Sequence, residues 1–404
     1  MNSKPRILFV AEAVTLAHVA RPLTLAAGLD ASRWEIHLAC DPRFLHLFPS
    51  LPGPVHPIHS IPGDRFLAAL EHGKPLYDTA TLAAYVEEEI GLLEELRPDA
   101  VIGDFRLSLA VSARRSSIPY LTISNAYWSP YAIQRYPIPE LPLVHLLGLR
   151  TAQWLFDLVR PAAFAYHCLP LNRICRRFGV SAPGYRLGRV YTDADHVLYA
   201  DPPNWVATRP LPPNHYFVGP VTWSPDLPLP AWWNELPDER PLVYVNLGSS
   251  GPVQLLPDIL EALADLPVTV VAATAGRIEV ASPPANCRVA DYLPGERAIR
   301  RANLVICNGG APTTQQALIE GVPVLGIATN LDQHLNMQAV VAHGMGRLLR
   351  SDLATPTAIA SEATSMLSDP GYKKAATRMA GQYHPQQAAN ILDRILKSLL
   401  ESGA

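Results

Sequence analysis

Two titratable side chains and one glycine-rich loop carry the chemistry that this sequence offers. His18, in "VTLAHVARPLTLAAGL", lies between the first apolar run and a helix expected to begin near Arg21. A neutral imidazole is well suited to removing a proton at physiological pH, and a nearby helix N-terminus favours the uncharged ring. Asp104 ends the run "PDAVIGD", and an aspartate can orient an imidazole and stabilise its protonated form. Taken singly, a surface histidine and a helix-capping aspartate would account for the same two residues. The loop is "CNGGAPTTQQALIEGVPVLG", residues 307 to 326. Gly309 and Gly310 follow a buried run and precede a helix, so backbone N–H groups there form a concavity of positive partial charge suited to phosphate. Pro312 lacks an N–H, but at the first helical turn that donor would be unpaired anyway. Thr313 and Thr314 add N–H and hydroxyl donors. A plain strand-to-helix turn fits the loop as well as a phosphate cradle does.

These residues need a frame, and the sequence supplies one in the alternation of short apolar runs with longer amphipathic stretches. That is the pattern of a parallel sheet with helical crossovers. In the first half the expected strands are "RILFVA" (6 to 11), "WEIHLAC" (34 to 40), "VHPIHSI" (55 to 61), "DAVIGD" (99 to 104), "PYLTIS" (119 to 124), "HVLYA" (196 to 200) and "HYFVGP" (215 to 220). In the second they are "LVYVNLG" (242 to 248), "VTVVAAT" (268 to 274), "ANLVICN" (302 to 308) and "VPVLGIA" (322 to 328). The expected organisation is an α/β chain with an N-terminal doubly wound domain over 1 to 220 and a linker over 221 to 240. A second such domain spans 241 to 384, and a final helix over 385 to 404 packs back on the first. Between 125 and 188 the pattern loosens into an aromatic and proline-rich region with one helix, "LLGLRTAQWLFDLVR". Ligands of such sheets bind at the carboxyl ends of strands, which selects the loops after Ala11, Asp104, Gly248, Asn308 and Ala328.

Composition narrows the partners. A chain of 404 residues is too long for one ordinary core, and its net charge of -3 gives no electrostatic basis for binding nucleic acid. The five cysteines form no CxxC pair, so they are read as reduced and mostly buried. No run has the length of a membrane span or the form of a signal peptide, which points to a cytoplasmic protein. The 40 prolines cluster in segments such as "PYAIQRYPIPELP" and "WSPDLPLPAWWNELPDERP", read as connectors or walls rather than helices.

The stretch "CNGGAPTTQQALIEGVPVLGIATNLDQHLNMQAVVAHGMG" resembles the donor-binding signature of family 1 glycosyltransferases, among them the bacterial macrolide, glycopeptide and rhamnosyl transferases. The resemblance is strong over most of the second half and weak over the first. It implies a GT-B fold: two Rossmann-like, doubly wound parallel-sheet domains facing a central cleft, with a nucleotide-sugar held by the C-terminal one. By position, Asn308 stands where the family has a histidine contacting the diphosphate, and Gly309, Gly310, Thr313 and Thr314 form the cradle. Asp332 and Gln333 match the pair that hydrogen-bonds the donor sugar, although an aspartate there also suits a helix N-cap. Gly248 and Ser249, in "YVNLGSSG", match a strand-end pair beside the phosphates. Tyr292 and Leu293, in "DYLPG", are candidates for packing on the base, with a buried core tyrosine as the alternative. Three positions depart from the pattern. Asn308 leaves only a neutral amide, Pro312 replaces a glycine, and Gln316 replaces a glutamate that accepts from both ribose hydroxyls. The last leaves room for a deoxyribose donor such as a dTDP-sugar beside a UDP-sugar.

The resemblance also puts His18 and Asp104 in the roles of catalytic base and orienting acid, although Ala17 precedes the histidine and Pro22 comes one residue later than usual. It places the acceptor pocket after the fifth strand, where Tyr127, Trp128 and Tyr131 head a series of aromatic residues that includes Tyr136 and Trp154. An aromatic wall suits a flat or lipophilic acceptor; a small separate core, or a helix at a membrane surface, are the other readings. The implied activity is inverting, metal-independent transfer of a sugar to a hydroxyl of a small molecule, with a nucleotide-sugar co-substrate and no cofactor. No DxD pair stands out, and His37, His46, His56, His59 and His145 lack metal-ligand spacing. A nicotinamide dehydrogenase is set aside because "AEAVTLAHVAR" has no glycine, and a P-loop NTPase because no lysine follows "GSSGPVQ". A nucleotide-sugar epimerase, or an inactive homologue that binds a partner, is the alternative.

Overall fold

The described residues form thirteen short strands, the central ones built from runs rich in valine, isoleucine and leucine, the composition of strands covered on both faces. The computed structural model describes residues 4–248, 251–384 and 386–401. In it the chain divides into two units. The first runs to Arg135, resumes over Gln153–Val221, and takes in the end of the chain from His384. The second comprises Tyr136–Ala152 and Thr222–Tyr383. The segment 136 to 152 is thus grouped with the later half of the chain, whereas the expected N-terminal domain was one unbroken stretch.

The first unit is a seven-stranded sheet of β1 (Arg6–Ala11), β2 (Glu35–Cys40), β3 (Val55–Pro57), β4 (Ala100–Asp104), β5 (Tyr120–Ser124), β6 (His196–Tyr199) and β7 (His215–Phe217). Its order is β3-β2-β1-β4-β5-β6-β7, with all neighbours parallel. The order reverses between β1 and β4, whose last residues, Ala11 and Asp104, pair with each other. This is a topological switch point, where such sheets leave a crevice at the carboxyl ends. One face of the sheet carries Phe9, Leu38, Ile102 and Ile123, packed with Leu392, Ile395 and Leu396 of the C-terminal helix Gln387–Glu401. Trp34 Nε1 donates to Asp393 on that helix at 2.8 Å.

The second unit is a six-stranded parallel sheet of β8 (Leu242–Asn246), β9 (Thr269–Ala273), β10 (Cys287–Ala290), β11 (Leu304–Cys307), β12 (Val324–Ala328) and β13 (Gly346–Arg350). The order is β10-β9-β8-β11-β12-β13, so the reversal here lies between β8 and β11. The outermost strands β10 and β13 were not expected. "CRVA" and "GRLLR" are short and carry arginines, and an edge strand covered less fully than a central one loses the apolar signal. A second difference lies at Leu149–Arg177, a helix of 29 residues that contains Pro161 and Pro170. The sequence reading held only its first part as helical. Among the described residues no helix is long and apolar enough to cross a membrane. All five cysteines are buried and none is in a disulfide.

Candidate functional site

In the first unit the switch point carries His18 and Asp104. The helix after β1 is Leu16–Ala27, with Thr15 at its N-cap, so it starts before His18 rather than near Arg21 as expected. His18 therefore sits in the first turn of that helix, beside its unpaired N–H groups. Pro22 has no N–H to give the carbonyl of His18 four residues earlier. Asp104 closes β4 and is fully buried, and His18 Nδ1 lies 2.8 Å from its Oδ1. With Nδ1 committed to the carboxylate, Nε2 is left with the lone pair that a base needs. The ring keeps 18% of its side-chain surface exposed.

Four further residues complete this site, and only their contacts reveal them. Phe105, in left-handed backbone with φ 55°, lays its ring flat against His18, with centroids 4.6 Å apart and planes 13° from parallel. Arg21 grips Asp104 with two nitrogens, Nε to Oδ2 at 2.7 Å and Nη2 to Oδ1 at 2.8 Å. Asn125 accepts from Arg21 Nη1 at 2.8 Å and donates to Asp201 at 3.0 Å. Burial lowers the proton affinity of Arg21, but Asp104, with Tyr127 and Asp201, leaves it raised. An arginine one turn beyond a histidine gives no signal in sequence, because the carboxylate it meets is 83 residues away.

Behind Phe105 the loop is anchored by a buried charge cluster. Arg106 is fully buried and donates to Glu12 at 2.8 Å, to Glu89 at 2.6 Å and to the carbonyl of His59 at 2.6 Å. Its guanidinium lies 3.6 Å over the ring of Tyr85. Burial raises the pKa of Glu12, against the opposing charge of Arg106. Removing Arg106 would strand two buried carboxylates, the costly way to break such a cluster.

The acceptor candidates separate. Tyr127 is fully buried, so its ring belongs to the core and offers no wall to an acceptor, contrary to expectation. Trp128 is partly exposed and meets Tyr191 edge-on at 5.0 Å, and Tyr191 meets Phe105 at 5.6 Å. A run of aromatic contacts thus leads from Trp128 to the ring stacked on His18. Tyr131 stands apart from this run, against His215 at 5.4 Å. Trp154 is 67% exposed, on the helix Leu149–Arg177.

In the second unit Asn308, Gly309 and Gly310 follow β11 and lead into the helix Ala311–Ile319, with Gly310 at its N-cap and Pro312 in its first turn. The expected cradle is partly occupied by its own residues. Gly309 N–H donates to Cys307 Sγ at 3.3 Å, and Gly310 N–H to Asn308 Oδ1 at 3.1 Å. The Thr314 hydroxyl donates to the carbonyls of Gly310 and Ala311, each at 3.1 Å. These donors were expected to meet phosphate, but a short polar side chain at a turn satisfies the nearest backbone first. Among the described residues neither the N–H nor the hydroxyl of Thr313 has a hydrogen-bond partner. Gly309 has φ 78°, and a Cβ there would lie 2.6 Å from Met337. Asn336, a residue the sequence reading did not single out, fixes the loop by donating to Gly309 O and Thr314 Oγ1, both at 2.8 Å.

The helix Leu331–Ala342 begins with Asn330 as N-cap in a capping box with Gln333, so the cap is Asn330 and not Asp332. Gln333 accepts from Thr329 N–H at 2.9 Å, while its Nε2 is buried with no partner. Asp332 is half-buried in the first turn. Gly248, with φ 65°, donates to Asn246 Oδ1 at 2.9 Å; Ser249 lies outside the described residues. Tyr292 is 47% exposed and donates to Ala275 O at 3.0 Å, so it is not a core tyrosine, whereas Leu293 is buried. Gln316 donates its Nε2 to the carbonyl of Trp223. Glu140, His145 and Asp352 bring three possible metal-ligand atoms within 4.8 Å of one another. Both carboxylates there already have partners, Glu140 in Ser351 and Asp352 in Arg350.

Two doubly wound parallel sheets of seven and six strands, each with polar residues at its switch point, define the GT-B class of fold. The spinosyn rhamnosyltransferase SpnG complexed with thymidine diphosphate has this fold, matching with a TM-score of 0.68 at 20% identity over 96% of this chain and 100% of that one. Residues 257–395 match the family model described as erythromycin biosynthesis protein CIII-like, C-terminal domain. A PGL/p-HBAD biosynthesis glycosyltransferase of Mycobacterium tuberculosis (strain ATCC 25177 / H37Ra) is 51% identical over 385 residues, covering 95% of this chain and 90% of that protein. A PGL/p-HBAD biosynthesis rhamnosyltransferase of Mycobacterium bovis (strain BCG / Pasteur 1173P2) is 51% identical over 393 residues, covering 96% and 87%. The chain belongs to the glycosyltransferase family of these mycobacterial enzymes, and it is a glycosyltransferase.

Proposed function

We propose that this enzyme is an inverting, metal-independent transferase that moves a sugar from a dTDP- or UDP-sugar to a hydroxyl of a small aromatic or lipophilic acceptor. The observation that carries the reading is the 2.8 Å contact of His18 Nδ1 with the buried Asp104, on a ring whose other nitrogen is free to act. His18 Nε2 removes the acceptor proton as its oxygen attacks the anomeric carbon, and Asp104 stabilises the imidazolium that forms. Attack opposite the leaving diphosphate inverts that carbon. Charge growing on the diphosphate is met by the Thr313 N–H and hydroxyl and by the N-terminus of the helix Ala311–Ile319. The unpartnered Nε2 of Gln333 is a donor for a sugar hydroxyl.

Gln316 supports a deoxyribose donor. With its Nε2 given to the Trp223 carbonyl, one neutral oxygen remains, and it serves two ribose hydroxyls less well than a carboxylate does. A thymidine diphosphate complex of a neighbour in fold, and the rhamnosyltransferase name of one relative, agree with a dTDP-linked deoxyhexose such as rhamnose. The partly exposed Trp128 is the expected contact for a flat acceptor such as a phenol.

Replacing His18 by Ala is expected to abolish turnover, by on the order of a thousandfold, while calorimetry finds donor binding unchanged. Retained turnover would overturn the mechanism. Thymidine diphosphate is expected to bind more tightly than uridine diphosphate, and equal or tighter uridine diphosphate binding sinks the deoxyribose preference. Mass spectrometry of reactions with phenolic and lipid acceptors reads out the product directly; interconversion of donors without an acceptor would instead mark an epimerase.

A further inference from the structure

Arg21 is a strong charge at the His18 site that a two-residue mechanism leaves unused. Three donors share the two oxygens of Asp104: Arg21 Nε at 2.7 Å, Arg21 Nη2 at 2.8 Å and His18 Nδ1 at 2.8 Å. A guanidinium in proteins does not lose its proton, so the buried negative charge is already matched before the imidazole gains one. Arg21 Nη2 also lies 3.2 Å from His18 Nδ1. Both atoms are donors when Nδ1 carries its proton, and both aim at the same carboxylate oxygen. That geometry fixes the tautomer, and a permanent cation so close to the ring opposes a second proton on it.

The support for Arg21 is itself built in. Its third nitrogen donates to Asn125, Asn125 donates to Asp201, and the other oxygen of Asp201 accepts from Ala126 N–H at 2.6 Å. The residues Arg21, Asp104, Asn125 and Asp201 come from the first helix and from the ends of β4, β5 and β6, so the fork is held from four elements. The groups that bear on the ring are Arg21 and Leu16–Ala27's own N-terminus on one side and Asp104 and the uncharged Phe105 ring from the end of β4. Behind Arg21 stand Asp201 and the Tyr127 hydroxyl.

We propose that Arg21 is a positioning residue for transfer: its fork fixes the plane of the Asp104 carboxylate, and its charge keeps His18 in the neutral, proton-accepting form at lower pH. The proposal rests on His18 as the base. The test compares the full-length enzyme with Arg21→Met, Arg21→Lys and His18→Ala, recording pH profiles of kcat and kcat/KM. In Arg21→Met the acid limb of kcat/KM for the acceptor should move to higher pH by on the order of one unit, since a cation beside the ring is gone. Its plateau kcat should fall roughly tenfold as Asp104 loses its fixed plane, with donor KM unchanged. Arg21→Lys should keep the acid limb in place and recover part of kcat. Superimposable profiles for Arg21→Met and the natural enzyme, scaled to the folded fraction seen by circular dichroism, would overturn the proposal. If Arg21→Met does not fold, Arg21→Lys decides: a lowered plateau with an unmoved acid limb supports the proposal, and an unaltered kcat overturns it. An active His18→Ala would overturn the base itself, whereas an inactive His18→Ala with an unmoved Arg21→Met profile overturns only the part played by Arg21.

Discussion

Phe105 holds a backbone conformation that a bulky side chain rarely adopts, with φ 55°, and its ring covers one face of His18. The left-handed region costs such a residue about 1–2 kcal/mol, and the neighbouring Arg106 cluster is what holds the turn in it. Glycine pays no such cost, so Phe105→Gly is expected to be more stable than Phe105→Ala by about 1 kcal/mol. This inverts the usual order of the two, and urea denaturation reads it. Both variants should lose turnover, roughly tenfold, because each removes the surface against which the imidazole is oriented. None of this was legible in "GDFRLS", where phenylalanine is the next residue after a strand-end aspartate. Left-handed backbone at a non-glycine residue has no sequence signature of its own.

At the scale of elements, the loop after β11 depends on one glycine for conformation and for space. Gly309→Ala would place a Cβ 2.6 Å from Met337 at a φ of 78°. The strain and the overpacking together are expected to cost roughly 2–4 kcal/mol, seen as a lowered urea midpoint, with thymidine diphosphate binding lost in calorimetry. The sequence placed this glycine in a strand-to-helix loop and expected it in a phosphate cradle. It could not show that Gly310 N–H and the Thr314 hydroxyl would be spent within the loop, because those bonds depend on the rotamers of Asn308 and Thr314. Nor could it show Asn336 reaching back 27 residues to bind the Gly309 carbonyl. Among the elements themselves, long central strands were read from their apolar runs, and the edge strands β10 and β13 were not.

Across the whole molecule, each unit carries a histidine that burial holds neutral. The pKa of His215, in the first unit, and that of His334, in the second, are each lowered to about 4. Both nitrogens of His334 are buried without a partner. The unfolded chain binds protons on these rings near pH 6.5 and the folded one only near 4, so folding stability is full above 6.5 and falls as pH drops toward 4. For His334 the loss is on the order of 3 kcal/mol. His334→Leu should therefore flatten the acid side of the stability curve between pH 6.5 and 4 while leaving stability at pH 7 equal or higher. Urea midpoints at pH 7 and pH 4.5 check this, and an unchanged difference between the two would count against it.

What the sequence determined alone is what local pattern can encode. The parallel-sheet alternation, the two halves and the resemblance to a glycosyltransferase donor signature are read from apolar period and motifs among neighbouring residues. The tertiary structure decided what depends on distant meetings. It joined Arg21 to Asp104 across 83 residues and buried Tyr127. The physical reason is one of range: hydrophobic period and turn chemistry act between neighbours in the chain, whereas a buried ion pair is defined only when the sheet order places two strand ends side by side.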